Sequence, residues 1–187
     1  MKRKRPVPRD AAVEALSDCF RAYGYEGASL TRLSEAAGLG RSSLYHFFPN
    51  GKDDMARDAA RHVGEDMTRR VIEPLRGEGA PAIRVGRAVA GLDEVYAGGG
   101  KACLVELFST PDAADAAPGA SRSLLSALID AFAALAAGAG AGKAEAQERA
   151  ERAAIEIQGA LVLARALSDR RPFARMLKRL PGVLLGE

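Results

Sequence analysis

The chain has 187 residues, 48% of them apolar and 27% charged, with a formal net charge of +3. That length suits one domain or two small ones and is ample to bury a core. No uninterrupted apolar run approaches the ~20 residues of a membrane span, and the basic start MKRKRPVPRD is not followed by the apolar run of a secretory signal. A cytoplasmic location without a membrane partner is therefore expected. Two cysteines, Cys19 and Cys103, make no disulfide framework and no zinc site, and read as free thiols in a reducing compartment. The lack of Trp, the 5% aromatic content and the abundance of Ala and Leu favour helix over sheet.

Charge is unevenly placed. Residues 1–52 hold nine basic and five acidic residues, while the remaining 135 are close to neutral. Five of those cations, Lys2, Arg3, Lys4, Arg5 and Arg9, fall in the first nine residues, and Pro6 and Pro8 keep that stretch out of a helix. A basic arm over residues 1–9 is a device for reaching DNA phosphates or a minor groove, if the domain behind it binds DNA; read alone it is a solvated terminus.

Taken in order, the chain reads as helices. Asp10 is placed to cap a helix running to Tyr23, with Ala12, Leu16, Cys19 and Phe20 at helical spacing and Gly24 as its stop. A second runs from near Ser29 to Gly38, and a third from Arg41 to Phe48, stopped by Pro49-Asn50-Gly51. A long fourth starts at Lys52 and reaches Glu73, before Pro74. Further helical segments are expected near 80–97, 101–109, 119–137, 143–169 and 172–179, separated by GEGAP, GGG, TPDAADAAPG and GAGAG. The expected fold is all-α, with about nine helices.

Residues 29–48, SLTRLSEAAGLGRSSLYHFF, carry the sharpest pattern. Gly38 can take the left-handed conformation that ends one helix. Leu39 can plug the angle, and small Ala36 and Ala37 allow the steep packing of a helix-turn-helix. Leu44 and Phe48 then face inward. Arg41, Ser42, Ser43, Tyr45 and His46 face outward, with donors, hydroxyls and planar rings suited to bases and phosphates. No acid occurs between Glu35 and Asp53, as a helix entering a polyanion requires. The pattern by itself also fits an ordinary helical hairpin with a polar face.

The runs Ser29-Leu-Thr-Arg-Leu-Ser-Glu-Ala-Ala-Gly-Leu, Ser43-Leu-Tyr-His-Phe-Phe and Lys52-Asp-Asp-Met resemble the DNA-binding domain of TetR-family transcriptional regulators over residues 10 to about 62. The Phe-Phe-Pro-Asn-Gly-Lys junction resembles the LmrA/YxaF branch. Gly40 stands where the family usually has a capping Ser or Thr, and Ser42 where it often has Gly. The resemblance implies a helix-turn-helix domain over 10–51, joined by the long fourth helix to a ligand-binding and dimerisation domain over 52–187. It implies phosphate contacts from Ser29 and Thr31. Arg41, Ser42 and Ser43 are then the candidates for base edges, and Tyr45 and His46 hold the backbone. Lys52 forms an anion site with the start of helix four, and Arg32 is either a phosphate contact or a solvated charge.

One recognition helix reads only a few base pairs, so a homodimer spacing two of them by about 34–36 Å is expected. The stripe Ala153, Ile157, Ala160, Leu161 and Ala164, followed by Phe173, Met176, Leu177 and Leu180, suits a bundle of helices between protomers, or packing inside one chain. The resemblance makes the intervening region a pocket for a small, largely apolar effector. Candidate lining residues are Met67, Val71, Leu92, Tyr96, Leu104, Leu107, Phe108, Leu128, Phe132 and Gln158. The expected function is a ligand-released repressor that binds a palindromic double-stranded operator as a dimer, without cofactor or metal. The alternative is a helical small-molecule-binding oligomer without sequence-specific DNA binding. An enzyme is not expected: the only histidines are His46 and His62, and no nucleophile–base, metal-spacing or phosphate-loop motif is present.

Overall fold

A computed structural model describes residues 7–186, leaving aside the side chain of residue 112. The described residues are helical, without strands. Residues 1–6, and with them Lys2, Arg3, Lys4 and Arg5, lie outside the described residues.

The helices are α1 (Arg9–Gly27), α2 (Leu30–Ala37), α3 (Arg41–Phe47), α4 (Lys52–Met67), α5 (Glu73–Arg76), α6 (Pro81–Val95), α7 (Leu104–Leu107), α8 (Pro111–Ala116), α9 (Ala120–Gly138), α10 (Lys143–Ala166) and α11 (Arg171–Leu185). A π-helical turn, Thr68–Ile72, links α4 to α5. Within α1 the helical conformation breaks at Gly24, with φ 73° and ψ 172°, where the sequence places the stop. The N-cap of α1 is Pro8 rather than Asp10, which sits in the first turn and there favours the positive end of the helix dipole. The fourth helix ends at Met67, but helical conformation does not stop before Pro74: the π turn continues into α5, whose first turn contains the proline. A proline is tolerated in the first turn of a helix, which its fixed φ suits. The TPDAADAAPG stretch, expected to be a separator, contains α8, with Pro111 at its start for the same reason.

Two compact units result. The first holds residues up to Val63 together with Leu104–Ser121, and the second holds Gly64–Cys103 and Arg122 onward. This differs from a boundary at residue 51. Met55, Ala56, Ala59 and Val63 of α4 are buried in the same core as Leu16, Phe20, Leu33, Leu44 and Phe48. Leu104, Phe108, Ala113, Ala116 and Ala117 enter that core too. Burying those apolar side chains is what draws a mid-chain segment into the head.

In the second unit α10 and α11 pack together, as do α6 and α11. The core includes Leu75, Val85, Leu92, Phe132, Leu135, Ile157, Phe173 and Leu180. Among the described residues α9 has the length and mean hydropathy (1.4) of a membrane span, with 28% of it buried. Its buried side, Leu128, Ala131, Phe132, Leu135 and Ala136, packs in the interior.

Candidate nucleic-acid interface

The site is built on two short helices and a turn. Ser29 caps α2, its Oγ accepting from the Arg32 amide at 3.3 Å. Gly38 ends α2 in the left-handed region, with φ 64° and ψ 21°. The Gly38 amide donates to Glu35 O and the Leu39 amide to Ser34 O, both at 3.1 Å, which satisfies carbonyls left open at a helix end. The Ser34 hydroxyl donates to Leu39 O at 2.5 Å. Half-buried Leu39 packs against the core from the turn. Gly40 caps α3 without a side-chain bond.

Leu44 and Phe48 are fully buried. On the other side of α3, Arg41, Ser42, Ser43, Tyr45 and His46 are all exposed, Tyr45 by 46%. Thr31 and Ser29 are exposed beside the α2 start. The inward and outward assignments of residues 41–48 therefore agree with the sequence reading.

Three expected contacts have other engagements. The Arg32 guanidinium donates to Gly27 O at 2.7 Å and lies 4.3 Å from the Tyr23 ring centroid, so it braces the α1–α2 corner. Lys52 is half-buried, its Nζ 3.5 Å from Glu26 O and 4.3 Å from the Tyr25 ring centroid. The Tyr25 hydroxyl donates to Asp53 at 2.5 Å, so the start of α4 already carries a carboxylate next to that ammonium. Arg9 opens α1 and pairs with Asp58 at 2.5 Å while lying 5.6 Å from the Phe48 ring centroid. It is thus part of the folded head and not of an arm.

A depression of about 350 Å³ runs along α3, lined by Val7, Leu39, Ser42, Ser43, His46 and Phe47. Val7 was not among the expected site residues. No helix pattern extends to it, so only its packing reveals it. The turn between α3 and α4 is held by Asp54, which accepts from the Asn50 amide at 2.8 Å and from its side-chain amide at 3.2 Å. The Asn50 amide bond, aided by Arg57, keeps this carboxyl below its ordinary range. Burial pushes the Cys19 thiol up, against a lowering by Arg32. Cys19 and Cys103 are both free and buried.

Residues 12–59 match the family described as bacterial regulatory proteins, tetR family. Residues 12–59, about a quarter of the chain, thus form a domain of the TetR family. Part of the chain is similar to part of two TetR-family regulators of Bacillus subtilis, those of the branch to which the junction after α3 points. YxaF is 35% identical over 57 residues, 30% of each chain. LmrA is 27% identical over 74 residues, 40% of this chain and 39% of that one. The match thus spans about a third of the length of these relatives. Over the whole fold, the chain is similar to the TetR family transcriptional regulator CifR in complex with 26-bp double-strand operator DNA. The TM-score is 0.73 and the identity 28%, over 97% of this chain and 98% of that one. These relatives are regulators rather than enzymes, and among the described residues no group of three or more His, Cys, Asp or Glu is placed to hold a metal.

The expected dimer residues face inward, and the expected effector residues divide between the two units. Ala153, Ile157, Ala160, Leu161, Ala164, Phe173, Met176, Leu177 and Leu180 are all buried within the single chain. They form the α10–α11 core, so they offer no surface to a partner. The exposed large apolar side chains of α10 and its C-cap are Ile155 (71%), Val162 (44%), Leu163 (51%) and, at the cap, Leu167 (63%). Of the expected lining residues, Leu104 and Phe108 are buried in the head core and Leu107 packs against it. Met67, Val71, Leu92, Tyr96, Leu128 and Phe132 are buried in the second unit. Gln158 there is half-buried, its amide 3.5 Å from Cys103 Sγ, which is 3.4 Å from the Tyr96 hydroxyl.

Proposed function

We propose that this chain is a DNA-binding transcriptional regulator, a repressor that binds a palindromic operator as a homodimer and is released by a small, largely apolar molecule. The observation that carries this reading is the outward display of Arg41, Ser42, Ser43, Tyr45 and His46 on α3, over the buried Leu44 and Phe48. Arginine at a base edge can bond guanine O6 and N7 together, and the serines and rings suit bases and phosphates. The acid-free stretch from Ala36 to Lys52 keeps repulsive charge away from the duplex.

A helix of seven residues is about 10 Å long and spans only a few base pairs, so two heads must act together. The exposed strip Ile155, Val162 and Leu163 of α10 and Leu167 at its C-cap, with Gly159 and Ala166 between them, is the surface that a second copy of the chain would cover. Such a contiguous apolar strip is unfavourable in water, and small residues within it permit close helix approach. The buried apolar side chains of the second unit, with Tyr96, Cys103 and Gln158 as polar groups among them, suit an apolar effector with one or two polar groups. Preferential binding to one of two conformers of the dimer would shift operator affinity, typically by about 5–150-fold.

Selection of bound fragments from a random DNA pool tests the reading. The expected product is one palindromic sequence with half-sites one helical turn apart. Recovery of unrelated fragments, or of none, sinks it and favours a helical oligomer that acts without DNA.

A further inference from the structure

A cleft of about 280 Å³ in the second unit is formed by residues 99–102, after α6, and by Ala164, Arg165, Ser168 and Arg170 at the corner of α10 and α11. It includes none of the expected effector-lining residues. Its lining holds three cations, Lys101, Arg165 and Arg170, and no carboxylate. Lys101 and Arg165 are held by interactions within the chain. The nearest acid in sequence, Asp169, turns to Arg171, whose Nε lies 2.9 and 2.8 Å from its two oxygens and whose backbone amide lies 2.9 Å from one of them. That amide bond keeps the Asp169 carboxyl below its usual range, with the Arg171 side chain and Arg175 lowering it further.

The backbone is shaped around the same place. Among the described residues the two non-glycine positions with positive φ are Ala97 (48°), two residues before the 99–102 wall, and Ser168 (50°), within the other wall. Such conformations are uncommon outside glycine, and they collect at ligand sites. A Cβ on Gly100 would lie 2.7 Å from an Arg170 guanidinium nitrogen. The bare backbone of Gly100 therefore lets Arg170 lie along the loop.

We propose that this cleft binds a small oxyanion, the phosphate group of a metabolite, with the Arg170 guanidinium and the Ser168 hydroxyl as its direct donors and Lys101 and Arg165 supplying positive potential. A planar guanidinium offers paired donors matched to phosphate oxygens, and a cleft with one sign of charge concentrates the counter-ion. A bound phosphate would tie the loop of residues 99–102 to the α10–α11 corner, giving the second unit a site for a charged signal separate from its apolar interior.

The test uses the full chain without DNA, so its result stands apart from the regulatory reading. Inorganic phosphate is titrated while the backbone amide resonances of residues 98–102 and 168–170 are followed, against sodium chloride at matched ionic strength. Saturable shifts with phosphate alone are expected. Arg170→Ala should weaken them about tenfold or more. Gly100→Ala keeps every cation but displaces the guanidinium, and should weaken them as well. Thermal melts without phosphate check that both variants are folded. An equal response to chloride, or unchanged phosphate binding in folded Arg170→Ala, overturns the proposal.

Discussion

Gly91 of α6 lies so close to the carbonyl oxygen of Arg70 that a methyl group there would overlap it. Arg70 sits in the π turn, and Pro74, four residues on, has no N–H to offer that carbonyl. The bare Cα of Gly91 thus allows α6 to close onto the turn, and Arg70 also pairs with Asp66 at 2.7 Å and with Glu94 of α6. Gly91→Ala is expected to destabilise by about 1–3 kcal/mol or more, since the overlapped atom is backbone and cannot swing away. Gly86→Ala, in the same helix with nothing near its Cβ position, should be neutral or stabilise by up to about 1 kcal/mol. Paired thermal melts decide, and equal shifts would contradict the close packing.

Arg41→Ala should cost about 1–3 kcal/mol on the selected operator and far less on random DNA. Gel shifts on both compare them, and an equal effect on the two would move Arg41 from base reading to phosphate binding.

Removal of residues 2–5 is expected to lower DNA affinity and flatten its salt dependence, while operator choice is largely kept. The slope of log K against log salt should fall by about 0.9 for each phosphate no longer neutralised. An unchanged slope would show that Lys2, Arg3, Lys4 and Arg5 take no part.

Leu163→Glu places a charge in the exposed strip of α10 and should give a folded monomer with much reduced operator affinity. Light scattering and circular dichroism measure mass and helix content together. A variant that stays dimeric would place the interface elsewhere.

Asp54→Ala removes the carboxylate that accepts both Asn50 amides. Because the folded state lowers this pKa, its contribution is fully present above the ordinary carboxylate range and is lost as pH falls through the lowered value. The gap in melting temperature between the native chain and the variant should therefore be wide at pH 7 and close in strong acid. A gap independent of pH would mean that the loss is not electrostatic.

The head was legible in the sequence wherever structure is decided locally. Gly24, Gly38 and the Pro49-Asn50-Gly51 turn mark their breaks without help from distant residues, and Leu44 and Phe48 follow from helical phase alone. Position 74 misled because a proline that ends a regular helix can also stand in the first turn of a continuing one. Pro111 misled in the same way. In α10 apolar residues occur on both faces, so periodicity could not tell the core side, with Ile157 and Leu161, from the exposed side, with Ile155 and Val162. The entry of Leu104 and Phe108 into the head core rests on association across some 40 residues of intervening chain, which no local pattern encodes.

That mid-chain contribution makes the head non-portable. A fragment cut after Val63 would lack the side chains of Leu104, Phe108 and Ala113 and leave the surface they cover wet. A functional graft onto another scaffold would need two stretches of chain, the second entering and leaving at fixed points. Swapping specificities between relatives is then a matter of exchanging the exposed residues of one short helix, rather than transplanting a module.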